Sequence, residues 1–141
     1  MDDESRLWRK IRSVHECKSR DIVLDFLHAN MENAYHPIAI IKSTALKRPH
    51  VIGALEGGAG GMESRCSLVS QGMVSRELSS QGPARYRITP PGIAIVEFLT
   101  GYYEYRENAF LGSSLWHYWL RLKVKKELGD LTMLVKEFGA L

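Results

Sequence analysis

Apolar residues recur along this chain first at helical spacing, then in alternation, then at helical spacing again, and those changes of period divide it into elements. Residues 5–16 carry Leu7, Ile11 and Val14 at i, i+4 and i+7, with Arg6, Arg9, Lys10 and Arg12 on the other faces, which predicts a short amphipathic helix serving as an arm or packing extension. From Ser19 to Asn33, Ile22, Val23, Phe26, Leu27 and Met31 repeat at helical period, with Ser19 or Asp21 as cap and Asn30 or Asn33 as stop. Pro37 suits the first turn of a second helix running to about Ala45, with Ile38, Ile41 and Ile40 turned inward. Leu46 reads as an apolar plug, Lys47 as an N-cap, and Pro49 as a first-turn residue of a third helix that begins near Arg48 and turns Val51, Ala54 and Leu55 inward.

The cluster Gly57-Gly58-Ala59-Gly60-Gly61 ends or breaks that helix, because each glycine costs about 1 kcal/mol in a helix interior relative to alanine. Met62, Cys66 and Val69 then predict a second helical piece closed by Gly72. Val74 to Ser79 and Ala84 to Ile88 read as strands, joined by the turn residues Ser80-Gln81-Gly82-Pro83. Thr89 caps and Pro90 opens a fourth helix reaching about Arg106, with Ile93, Ile95, Val96, Leu99 and Tyr103 on one face. After a connection over 107–114, Trp116, Leu120, Val124, Leu128, Leu131, Val135 and Phe138 form the stripe of a terminal helix, with an interruption allowed at Gly129-Asp130. Such a stripe requires a cover. It packs either on its own domain or, the reading preferred here, on a second copy of the chain, with Tyr118 and Trp119 adding apolar area beside it.

These elements predict a mainly α fold with a small two-stranded wing (α+β), organised as a helical arm at 1–18, a central domain at 19–106 and a C-terminal helix at 107–141. With 141 residues, 45% of them hydrophobic, the chain has enough material for one real core. No run approaches the roughly 18 to 20 consecutive apolar residues that cross a bilayer, and the acidic start is unlike a signal peptide, so a cytoplasmic protein without membrane association is expected. Cys17 and Cys66 have no paired spacing and read as core thiols. The net charge of +3 matters less than its placement: no acidic residue lies between Glu32 and Glu56, whereas His36, Lys42, Lys47, Arg48 and His50 do, which would leave one surface locally positive.

The order helix, helix, turn, helix, strand, turn, strand, helix over about residues 20–105 resembles the winged helix-turn-helix transcriptional regulators, including the MarR-like and ArsR-like groups and small archaeal and viral regulators. Three pieces carry the resemblance: KSTALKRPHVIGAL for the second and third helices, LVSQGMVSRE at Leu68 to Glu77 for the helix end and first wing strand, and ARYRITPPG at Ala84 to Gly92 for the second strand and its cap. The resemblance implies double-stranded DNA as partner, with Lys47, Arg48, His50 and Ile52 on the exposed side of the recognition-helix start and Arg76, Arg85 and Arg87 on or beside the wing. Two departures stand against the family pattern. About ten residues with the glycine cluster are inserted after the recognition helix, which lets Ser64 and Arg65 supplement or replace the contacts of Arg48 and His50, and Ile52-Gly53 stand where polar readers are usual.

No nucleophile elbow, paired-acid motif or phosphate loop is present, and the five histidines lack a metal-ligand spacing, so neither an enzyme nor a cofactor or metal site is expected. The rival reading is a winged-helix scaffold that binds protein and reads no DNA directly, since fold alone does not decide function.

Overall fold

The computed structural model describes residues 2–58, 66–79, 82–109 and 114–139, without the side chains at 4, 79 and 102–124. Among them are six helices and two strands in the order α1 (Asp3–His15), α2 (Lys18–Ala29), α3 (Pro37–Thr44), α4 (Arg48–Glu56), β1 (Val74–Ser79), β2 (Gly82–Ile88), α5 (Pro90–Ala109) and α6 (Ser114–Glu137). The fold is mainly α with a two-stranded antiparallel sheet, a winged-helix plan with a C-terminal helical extension.

Helix α2 is the hub, touching α1, α3, α4, α5 and β2. Its Val23, Leu24 and Leu27 are buried together with Ile40 of α3 and Val51, Ala54 and Leu55 of α4. Helix α1 starts on Asp2, whose carboxylate accepts the Ser5 N–H at 2.7 Å, and it sends Leu7, Ile11 and Val14 fully into the same core, so it packs as an integral layer. Its Trp8 meets Phe98 of α5 edge-on with ring centroids 6.0 Å apart.

Several local expectations need correction. Neither Ser19 nor Asp21 caps α2: Cys17 holds that position without a side-chain bond, and the helix stops at Asn30, whose amide closes on the Phe26 carbonyl at 2.8 Å. Both Cys17 and Cys66 are free and half-buried instead of lying in the core. Ile38 is 47% exposed because it follows Pro37 on the outer face of a helix only eight residues long, and Ile40 takes the inward position.

Helix α6 runs through Gly129 without a break. Leu128, Leu131 and Val135 of its stripe are buried within this chain, where α6 touches α5 and α1. Lys136 bonds Asp3 at 2.9 Å, fastening the end of α6 to the start of α1 and holding the Asp3 carboxyl below its usual range. Trp116, Tyr118, Trp119, Leu120 and Val124 lie outside the described side chains, and Phe138 is 55% exposed. Between α5 and α6 a cavity of about 400 Å³ is lined by Phe98, Leu131 and Leu134 together with Glu97, Glu127 and Asp130. No helix among the described residues is long and apolar enough to cross a membrane.

Candidate nucleic-acid interface

The sequence around residues 36–56 folds into two short helices because each has its own start signal and the link between them is three residues long. Pro37 opens α3, where its missing N–H costs nothing, and the His36 imidazole accepts the Ile38 N–H at 3.1 Å. At the other end Ala45 adopts left-handed φ 59°, an unusual state for a residue with a Cβ, and turns the chain sharply. Thr44 stabilises this exit: its hydroxyl donates to the Ile40 carbonyl at 2.7 Å and accepts the Leu46 N–H at 3.4 Å. Leu46 packs half-buried against the core, as a plug between the helices should.

Lys47 is the N-cap of α4, in extended conformation and with no side-chain cap bond. Its carbonyl takes the His50 and Val51 N–H groups at 3.0 and 3.1 Å, so the backbone closes the first turn and the lysine side chain stays uncommitted. Val51, Gly53, Ala54 and Leu55 are buried and hold α4 down, which leaves Lys47, Arg48 and Pro49 exposed and His50 and Ile52 half-buried. The Lys47 and Arg48 side chains make no ion pair with the described residues. An exposed cationic helix start, whose dipole adds positive potential, has the chemistry to meet phosphate.

The wing treats its arginines differently. Val74 pairs with Ile88, Arg76 with Tyr86 and Glu77 with Arg85. Alternation therefore puts Arg76 on the inner face with Val74, Tyr86 and Ile88, and puts Ser75, Glu77, Arg85 and Arg87 on the outer face. Inside, Arg76 binds Glu56 at 2.9 Å (Nη1 to Oε2). Glu56 is the last residue of α4, where the helix dipole disfavours a carboxylate, and the guanidinium compensates both. Tyr86 is buried against this pair; burial, and then the Glu56 charge, push its phenol up to about 12, with Arg76 opposing. Outside, Arg87 donates through Nε to Glu77 at 2.8 Å and through Nη1 to the Glu32 carbonyl at 3.0 Å, tying the wing to the segment after α2. Tyr35 joins there too, exchanging backbone bonds of 2.8 Å with Tyr86 as a one-residue third strand. Arg85 is exposed and makes no ion pair among the described residues.

Beyond α4 the expected helical piece over 62–72 is corrected for its described part, 66–72, which forms tight turns and no α-helix. Gly57 (φ 75°) ends α4, and when the chain returns, the Leu68 and Val69 N–H groups bond the Ala54 and Leu55 carbonyls at 2.9 and 3.1 Å. The helix end is thus completed by residues from beyond the insertion. The glycine that closes the next turn is Gly72 (φ 77°): its N–H reaches Val69 O and the Met73 N–H reaches Leu68 O, a Schellman closure with Leu68 and Met73 buried beside it. Gln71 anchors this turn to α1, bonding Cys66 O at 2.6 Å and Ser13 Oγ at 3.0 Å, while Lys10 Nζ donates to its carbonyl. Met62, Ser64 and Arg65 lie outside the described residues.

Of the seven residues singled out from the sequence, Lys47, Arg48 and Arg85 are exposed and uncommitted, His50 and Ile52 are partly covered, and Arg76 and Arg87 are held by carboxylates. What the sequence reading missed are the partners Glu56, Glu77 and the Glu32 carbonyl. The inward aim of Arg76 was available from strand alternation with Val74; the Arg87 tie joins residues 55 apart in sequence and left no local signal. No group of three or more His, Cys, Asp or Glu among the described residues is arranged to hold a metal ion.

No curated protein and no solved structure matches the chain. A family model described as EarA-like matches residues 11–99, from the inward face of α1 to the middle of α5, and so includes α3, α4 and both wing strands. The chain belongs to the EarA-like family.

Proposed function

We propose that the protein is a DNA-binding transcriptional regulator of winged helix-turn-helix type, comparable in plan to the MarR-like and ArsR-like groups, with the start of α4 in the major groove and the wing on flanking backbone. The observation that carries this reading is the pair Lys47 and Arg48, exposed at the N-terminal end of a helix whose other face is locked into the core. Phosphate contacts of this kind supply most non-specific affinity, and a helix start presents side chains and backbone N–H groups together. Half-buried Ile52 and buried Gly53 leave little polar surface for reading bases, which favours weak sequence selectivity. No cofactor and no enzymatic step enters the reading.

The test is a fluorescence-anisotropy titration against mixed-sequence duplex DNA across a salt series. Binding that weakens as salt rises is expected; no binding down to low ionic strength defeats the proposal. We place the protein in the cytoplasm as a homodimer joined through α6. Because Leu128, Leu131 and Val135 are already covered within the chain, a second copy would take the outer side of α6, where Met133 and Phe138 are exposed. A monomer by light scattering at micromolar concentration would remove the dimer and leave the DNA reading standing.

The scaffold reading draws on a specific observation as well: two wing arginines are neutralised internally, while Ile38 stands exposed at the start of α3. A protein that binds no duplex yet retains this surface would serve as a protein-docking module.

A further inference from the structure

The outer face of the wing carries two arginines and one carboxylate, and the geometry decides which arginine keeps its charge available. Glu77 stands directly opposite Arg85 in the strand register, the position from which a cross-strand ion pair forms most readily. Its carboxylate is instead taken by Arg87 at 2.8 Å, and Arg87 is fixed in that pose by its second bond, to the Glu32 carbonyl at 3.0 Å. Arg85 is thereby left exposed with no carboxylate partner among the described residues.

We propose that Arg85 is the wing's phosphate contact and that Arg87 is a positioning residue which, by occupying Glu77, keeps that carboxylate from capturing Arg85. The inference rests on the DNA-binding reading. It separates the two arginines that share one face of β2: one touches the polyanion, and the other acts only through an acid. Arg87 is poorly suited to direct contact, because a phosphate would have to displace both the Glu77 carboxylate and the tie to the α2–α3 segment. For Arg85 nothing has to be broken first.

The experiment is a salt series of duplex-DNA binding by anisotropy on the full chain and four variants, each checked for a cooperative melt. Arg85→Ala should reduce the magnitude of the slope of log K against log salt by about 0.9 per bound protomer and weaken binding by about five- to tenfold per protomer, the signature of one lost phosphate contact in each. Arg87→Ala should produce the same loss, since Glu77 then closes on Arg85. Adding Glu77→Gln to Arg87→Ala should restore the parental slope and bring affinity back to within about twofold, because no acid is left to capture Arg85. Glu77→Gln alone, which removes the acid while Arg87 keeps its tie to the Glu32 carbonyl, should leave the slope at the parental value and affinity within about twofold of the parent.

The rescue, measured against the effect of Glu77→Gln alone, is the decisive readout, since a contact made by Arg87 itself, or a wing merely loosened by its loss, would gain no more from neutralising Glu77 than the parent chain does. A double variant as weak as Arg87→Ala overturns the proposal, as does an unchanged slope in Arg85→Ala or in Arg87→Ala. A parent chain that binds no duplex at low salt refutes the DNA reading and this inference with it, an outcome recognised from the parent alone.

Discussion

The start of α4 and the base of the wing are both basic, yet one leaves its cations free and the other spends them on carboxylates. Lys47 and Arg48 lie in the stretch from 33 to 55 that contains no acid, so no local partner competes for them. Arg76 and Arg87 sit on strands whose pleat brings each within reach of a carboxylate, Glu56 on one side and Glu77 on the other. The lesson concerns how positive charge is counted. An arginine on a helix start surrounded by neutral residues is available to a polyanion, whereas an arginine inside a sheet with acids opposite is first of all part of the sheet's own electrostatics.

The largest effect should come from breaking the base on which the wing stands. A Cβ at Gly92 would run into the Met73 carbonyl oxygen and lie 2.8 Å from Ile88 Cγ1, so Gly92→Ala should destabilise the fold by about 3 kcal/mol in urea unfolding. A stability loss below about 1 kcal/mol would show that α5 and the strand ends are not packed so closely.

Next in size, replacing both Lys47 and Arg48 by alanine should weaken duplex binding about thirtyfold or more at low salt with little change in unfolding, because both side chains are exposed and uncommitted. Arg76→Ala should do the reverse, changing affinity less than about threefold while lowering stability by up to about 1 kcal/mol, the range for partly exposed ion pairs. Equal affinity losses from the two substitutions would erase the contrast between helix and wing.

Tyr86 sharpens it through pH. Its folded phenol titrates at about 12, above the ordinary value near 10, so the unfolded chain gives up that proton first. The stability contributed by the neutral phenol is therefore complete below about pH 10 and lost as pH rises through about 12. Tyr86→Phe should flatten that part of the stability profile; an unchanged alkaline profile would mean that neither burial nor the Glu56 charge raises the phenol.

The smallest effect should be a gain. Ala45→Gly relieves the left-handed backbone before α4 and should raise stability by about 0.5 to 1 kcal/mol in thermal or urea unfolding, after the cost of extra chain entropy. A loss instead would mean that the alanine methyl contributes packing in the turn.

The positions of α1 to α5 and of both strands were readable because each has a local cause: apolar spacing in α1, Pro37, Pro49 and Pro90 at first turns, Asn30 at the stop of α2, Gly72 just before β1, alternation in β2. The acid-free stretch likewise foretold the free charge of Lys47 and Arg48. The turns at 66–72 were misread as helix because Cys66 and Val69 keep a helical spacing while their real task is to bring the Leu68 and Val69 N–H groups onto the end of α4. The ion pairs were equally hidden, since they join residues 10 to 20 positions apart across a sheet and a helix end.

For this protein, composition and periodicity determined which segments become helices and wing, because those preferences act within a turn or a strand. Which arginines remain available, which isoleucine faces out and what closes the end of α4 were decided only by tertiary structure. Charges and hydrogen-bonding groups respond to whatever lies a few ångströms away in space, and sequence separation does not record that distance.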